Sequence, residues 1–193
     1  MNKYCNQLNV NFKIEADLTL YKNELGRNHK MLPNEILGKE MNDWLFELGL
    51  KVELVEYFYL RNKQHKPHCD SVVYDSGFGK INYITGGKDS FMVWYEPIGQ
   101  DTGKKMQNKL GYRGLQGIDE LPGSYRGIDN VNQLREVFSK HLQGFYLVNV
   151  GVFHDVIAGD DDRYCLSVFT KDLKSDVRLG ITQLQERMKK YII

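Results

Sequence analysis

The tripeptide His68-Cys69-Asp70 places an imidazole and a carboxylate two residues apart. In a β-strand, residues i and i+2 point to the same face, so these two side chains would lie next to each other. Such a pair supplies two-thirds of the 2-His-1-carboxylate arrangement, which binds Fe(II) from one side and leaves its other coordination positions open. The third ligand would be His154, which follows the strand-like run 145–153. The three residues therefore predict a metal centre built by two strands.

A second group of polar residues follows His154 in the sequence. Arg163 begins another strand-like run, and in a strand Arg163, Cys165 and Ser167 would share one face. The planar guanidinium group of arginine makes two charge-assisted hydrogen bonds to a carboxylate, and a hydroxyl such as that of Ser167 could add a third. This pattern predicts a binding site for a carboxylate-bearing ligand.

Short strands must position these residues. Runs of β-branched and aromatic residues, or of alternating polarity, predict strands at 8–20, 51–61, 68–74, 80–85, 90–95, 145–153 and 164–170. Apolar residues at three- and four-residue spacing predict helices at 34–48 and 173–193. We therefore expect a mainly β protein with flanking helices, of the α+β class. A sandwich or barrel would carry the helices on its outside.

Residues 99–130 differ from the rest of the chain. This stretch contains seven of the 18 glycines and has little apolar periodicity. A loop of this length inside a domain is commonly functional or disordered. We predict one domain over residues 1–193, with 99–130 as a glycine-rich insertion that either covers the site as a lid or extends from the surface.

The composition argues against several classes of protein. Lys and Arg number 26 and Asp and Glu 25, so the net charge of +1 makes a nucleic-acid partner unlikely. The sequence has no apolar run of about 18 residues, so we expect no membrane span. The three cysteines, Cys5, Cys69 and Cys165, are too few for a disulfide framework. With no signal-like start, they indicate a cytoplasmic protein.

The order of the motifs resembles a known family. An HxD pair, a distant histidine and an arginine nine residues after it are similar to the Fe(II)- and 2-oxoglutarate-dependent oxygenases, especially their small bacterial and phage members. The likeness extends over about residues 52–170. It includes three strand-like segments: Lys80-Ile-Asn-Tyr83, Phe91-Met-Val-Trp-Tyr-Glu96 and Leu147-Val-Asn-Val-Gly151.

The resemblance implies a role for each site residue. His68, Asp70 and His154 match the iron ligands, and Arg163 matches the residue that binds the distal carboxylate of 2-oxoglutarate. Many members have a serine two residues after that arginine, where this chain has Cys165. The missing hydrogen bond would then come from one of several polar residues nearby: Ser167, Asn82, Tyr57 or Tyr59.

The resemblance also implies a fold and an activity. The fold would be a double-stranded β-helix, which is a jelly-roll or cupin-like barrel. The protein would use Fe(II), 2-oxoglutarate and O2 to hydroxylate a C–H bond of an unknown small molecule or protein side chain, releasing succinate and CO2. Because Asp70 supplies the carboxylate ligand, hydroxylation is favoured over halogenation. A cupin-like barrel that binds a metal or small ligand without turnover, as a sensor or structural module, is the alternative.

Overall fold

The computed structural model describes residues 1–71, 73–99, 104–107, 124–128 and 130–193. This part of the chain forms thirteen strands and two α-helices. The strands, in chain order, are β1 (Cys5–Gln7), β2 (Arg27–Leu32), β3 (Leu50–Leu60), β4 (Lys63–Gln64), β5 (His68–Cys69), β6 (Gly79–Gly86), β7 (Phe91–Pro97), β8 (Lys104–Gln107), β9 (Ser124–Gly127), β10 (Leu134–Lys140), β11 (Gly144–Asn149), β12 (Phe153–Ala158) and β13 (Arg163–Asp172).

The strands form two antiparallel sheets. One sheet has six strands in the order β1-β11-β6-β13-β3-β2. The other has the order β10-β7-β12-β5-β9-β8, and β4 pairs with β12 beside this path. Apolar side chains of both sheets pack together between them, among them Ile84, Met92, Trp94, Val148 and Cys165. The sheets therefore face each other, as in a β-sandwich.

Two helices cover the outer face of the six-stranded sheet. They are α1 (Gly38–Glu47), which follows a 3-10 turn at Asn34–Leu37, and α2 (Ile181–Met188). Met41 and Leu45 of α1, and Leu184 and Met188 of α2, belong to one buried cluster with residues of the sheet such as Tyr57. Because each helix has one apolar face, burying that face against the sheet stabilises it. Among the described residues, none of the helices has the length and apolar character needed to cross a bilayer.

The mainly β architecture with flanking helices is confirmed, and the helix predicted at 34–48 is found at Asn34–Glu47. The helix predicted at 173–193 is too long, since α2 begins only at Ile181. The segment before it is a turn, in which the Asp172 carboxylate accepts hydrogen bonds from the backbone N–H groups of Lys174 and Ser175. Such local hydrogen bonds compete with a helix.

The strand predicted at 8–20 is wrong. Leu8 makes an isolated bridge to Ile192, and a 3-10 turn occupies Leu18–Tyr21. Residues Val10, Phe12 and Ile14 do pack on the outer core. Polar and apolar residues therefore alternate because one side of this segment is buried, although the segment does not form a strand.

Three other predictions change in extent. The strand predicted at 68–74 is found only at His68–Cys69, as β5. The strand predicted at 145–153 ends at Asn149, and a separate strand, β12, begins at Phe153 and contains His154. Most of the predicted loop 99–130 lies outside the described residues. Its described parts are Gly99, β8, β9 and short flanks, and β8 pairs with β9.

Candidate metal centre

Neighbouring strands bring the two predicted histidine ligands together. His68 of β5 and His154 of β12 are direct cross-strand partners, and their ring centroids lie 4.6 Å apart. Asp70 follows the end of β5. Cys69 lies on the opposite face, where its thiol donates a hydrogen bond to the Gly151 carbonyl at 2.9 Å. His68 and Asp70 thus lie on the same side, although Asp70 is just beyond the end of the strand.

The potential ligand atoms converge. The Oδ1 atom of Asp70 lies 3.2 Å from His68 Nε2 and 3.8 Å from His154 Nε2. One ligand atom from each of the three residues falls within 4.8 Å of the others. The Nδ1 atoms of the histidines contact the carbonyl oxygens of Lys66 at 2.9 Å and Val152 at 3.0 Å. A carbonyl only accepts, so each Nδ1 carries the proton and each Nε2 faces the cluster. Burial opposes a charge on His68, but the hydrogen bond to Asp70 raises the pKa of its imidazole, so His68 Nε2 would release a proton when a metal binds.

Burial and charge set the ionisation of these groups. Burial lowers the pKa of His154 to about 4, so its imidazole is neutral at neutral pH. Burial also opposes the charge on Asp70. The positive charge of Lys80 and the hydrogen bond from His68 outweigh this effect and hold the pKa of Asp70 well below its usual value. The carboxylate is therefore ionised, as a metal ligand must be.

The site remains reachable from one side. The side chain of His154 is 6% exposed, whereas those of His68 and Asp70 are 26% and 19% exposed. A ligand could therefore approach past His68 and Asp70.

Two buried charged residues were missed by the sequence analysis. Lys80 of β6 and Glu56 of β3 point into the space between the sheets. Lys80 Nζ lies 2.6 Å from Asp70 Oδ2 and 3.0 Å from Glu56 Oε2. Charged residues are rarely buried unless they are paired, but the sequence does not single these two out, since β3 also contains Lys51 and Glu53.

The predicted carboxylate-binding residues lie on the inner face of the six-stranded sheet. Ser167 of β13 is the cross-strand partner of Asn82 of β6, and its Oγ donates to Asn82 Oδ1 at 2.8 Å. Arg163 is on the same face of β13 and is 4% exposed, with the Cys165 thiol as its hydrogen-bonding neighbour. The structure thus brings Arg163, Ser167 and Asn82 to the face that is opposite the histidines.

Arg163 is a buried cation without an anionic partner among the residues that the structure describes. Burial lowers the pKa of its guanidinium, and no described carboxylate lies within ion-pair distance. Buried charges are normally paired, because removing an isolated charge from water costs several kcal/mol. Within the described part of the chain, the Arg163 guanidinium therefore lacks the partner that a buried charge normally has.

The structure corrects the assignment of Tyr59 and Tyr57. Both belong to the outer core beneath the helices. The Tyr59 hydroxyl donates to Asp162 Oδ1 at 2.8 Å, and the Tyr57 hydroxyl donates to the Leu18 carbonyl at 3.1 Å. Tyr59 pairs with Tyr164, so it shares the face opposite to that of Arg163. Neither tyrosine lies at the site.

The donor set fits Fe(II) and similar divalent ions. Two imidazoles and one carboxylate oxygen come from one side, and hydrogen bonds to the backbone orient both rings. This combination is typical of non-haem Fe(II) sites with open positions.

Comparisons with known proteins add little to this geometry. No protein-family model matches the sequence, and no curated protein matches it. Among solved structures, the chain is similar to peruvianin-I, a cysteine peptidase from Thevetia peruviana latex. The match has a TM-score of 0.32 and 10% sequence identity, and it covers 81% of this chain and 69% of that chain. A TM-score this low carries no conclusion about fold or function.

Proposed function

We propose that this protein is an Fe(II)- and 2-oxoglutarate-dependent dioxygenase with a double-stranded β-helix fold. The observation that carries the proposal is the convergence of His68 Nε2, His154 Nε2 and Asp70 Oδ1 between two antiparallel sheets. Three ligands on one side leave positions open for a chelating cosubstrate and for O2. The substrate would be a small molecule or a protein side chain.

Each residue has a distinct task in this proposal. His68, His154 and Asp70 would hold the metal, and the carbonyls of Lys66 and Val152 keep the imidazoles oriented. Arg163 would bind the distal carboxylate of 2-oxoglutarate by charge-assisted hydrogen bonds. Ser167 and Asn82 lie on the same inner face as Arg163 and would supply additional polar contacts; their mutual hydrogen bond fixes their orientation.

When bound, the iron and 2-oxoglutarate supply an oxidation by O2 that hydroxylates a C–H bond and releases succinate and CO2. The protein contributes geometry and the exclusion of water. The apolar layer of Met92 and Trp94 beside His154 keeps bulk water from the inner end of the site. The buried free thiols of the three cysteines accord with a reducing cytoplasm.

The proposal predicts that 2-oxoglutarate binds only to the metal-loaded protein. Mn(II) can replace Fe(II) in an isothermal titration, because it favours oxygen and imidazole ligands and avoids oxidation. We expect 2-oxoglutarate to bind Mn(II)-loaded protein and not the apo-protein. Pyruvate, which lacks the distal carboxylate, should bind at least about tenfold more weakly, because it loses the charge-assisted hydrogen bonds to Arg163.

The same titration separates the alternative function. Tight Mn(II) binding without any response to 2-oxoglutarate would favour a cupin-like barrel that binds metal without turnover. Equal affinity for 2-oxoglutarate with and without Mn(II) would contradict the proposed function, because the cosubstrate would then bind without contacting the metal.

A further inference from the structure

Lys80 links the two buried carboxylates beside the metal centre. Its Nζ lies 2.6 Å from Asp70 Oδ2, 3.0 Å from Glu56 Oε2 and 3.7 Å from the centroid of the Phe169 ring. Its side chain is only 3% exposed. A buried ammonium is stable only where its charge is paired, so these contacts hold it in one place.

The two oxygens of Asp70 have different partners. Oδ1 faces His68 Nε2 at 3.2 Å and His154 Nε2 at 3.8 Å, whereas Oδ2 is bound to Lys80. A carboxylate can bind a cation through one oxygen or through both. A second oxygen from Asp70 would occupy one of the positions that the three-ligand arrangement leaves open.

We propose that Lys80 is a positioning residue that restricts Asp70 to a single metal-binding oxygen. This inference rests on the metal centre of the proposed function and adds the residue that keeps its coordination positions free. Lys80 acts through Asp70, since its ammonium group has no lone pair to offer a metal.

Glu56 prevents Lys80 from cancelling the charge of Asp70. One ammonium shared by two carboxylates leaves one negative charge in excess, so a divalent cation is still attracted. Glu56 is itself held on its other side, where its Oε1 lies 3.3 Å from His29 Nε2. The ring of His29 stacks on Phe58 with centroids 4.4 Å apart. The network therefore extends from β2 through β3 and β6 to the metal ligand.

The test uses Co(II), whose visible absorption reports the number and geometry of its ligands. We expect Lys80→Met to change the spectrum of bound Co(II), measured without cosubstrate, because the released Oδ2 of Asp70 can also bind the metal. Lys80→Arg, which keeps a cation beside Asp70, should retain the wild-type spectrum. Glu56→Gln is the matched control: it leaves Lys80 in contact with Asp70, so the spectrum should persist while Co(II) affinity falls about tenfold.

A second variant shows whether a spectral change comes from the loss of Lys80 or from unfolding of the protein. Lys80→Met leaves buried carboxylates unpaired and is destabilising. The double variant Lys80→Met with Glu56→Gln removes opposite charges together, and it should show the same spectral change in protein that circular dichroism reports as folded.

The outcomes distinguish this inference from the proposed function. A wild-type Co(II) spectrum in both Lys80→Met variants would overturn the role of Lys80 and leave the metal centre intact. A spectral change in these variants would support that role even if 2-oxoglutarate never bound. Wild-type protein that fails to bind Co(II) would overturn both.

Discussion

His154→Ala should abolish tight metal binding, lowering Mn(II) affinity by more than about 100-fold. Loss of a mere outer hydrogen-bond partner of a metal ligand costs roughly 10–100-fold, so loss of the ligand itself should cost more. His154 is the most buried of the three ligands, and the Val152 carbonyl fixes its ring. Free Mn(II), measured by electron paramagnetic resonance during a titration, gives the affinity directly.

His141→Ala is the matched control for this substitution. His141 is also a partly buried histidine whose Nδ1 contacts a backbone carbonyl, that of Ser90 at 2.8 Å. Because it lies outside the ligand cluster, its replacement should leave Mn(II) affinity unchanged. Equal Mn(II) affinity in wild-type protein and in folded His154→Ala would show that these three residues do not form the metal site.

Arg163→Met should increase stability and weaken 2-oxoglutarate binding. The guanidinium is buried without a described carboxylate partner, so an apolar side chain of similar length removes a cost of on the order of 1 kcal/mol or more. The same change removes the cation proposed to bind the distal carboxylate. Hydrogen bonds to charged groups contribute roughly 1.5–3 kcal/mol each, so affinity should fall about 100-fold. Thermal melting of the apo-protein and titration of the Mn(II)-loaded protein measure the two effects.

Arg187→Met is the control for Arg163→Met, because Arg187 is an arginine with a structural role. Arg187 of α2 forms an ion pair with Asp172 and donates to the carbonyls of Leu48 at 3.0 Å and Gly49 at 2.7 Å. Its replacement should lower the melting temperature and leave 2-oxoglutarate affinity unchanged. A lower melting temperature together with unchanged cosubstrate affinity in Arg163→Met would assign Arg163 a structural role as well.

The sequence predicts the metal ligands because strand alternation is a local property. Two residues separated by one in a strand share a face, and this rule predicts that His68 lies beside Asp70. The two side chains do lie together, although Asp70 follows the end of β5. The pairing of His68 with His154 is not local, since the two residues are far apart in the chain. The position of His154 after a strand-like run and the order of motifs in a known family indicate that pair, and no periodicity does.

The remaining features depend on contacts between distant segments. Lys80 and Glu56 lie on different strands, and nothing in either strand indicates that Lys80 pairs with both Glu56 and Asp70. The face of Tyr59 follows from its register with Tyr164, which the sequence does not specify. Residues 8–20 alternate like a strand because one side is buried, but a strand also needs a neighbour with free backbone groups.

The measurement that tests the central claim most directly is an anaerobic titration of Fe(II)-loaded protein with 2-oxoglutarate, followed by visible absorption. A keto acid that chelates Fe(II) produces a charge-transfer band, which requires both the metal centre and open coordination positions. We expect a band that saturates with 2-oxoglutarate and is missing in His68→Ala. Folded protein that holds Fe(II) and shows no band, or a band of equal strength in His68→Ala, would contradict the account.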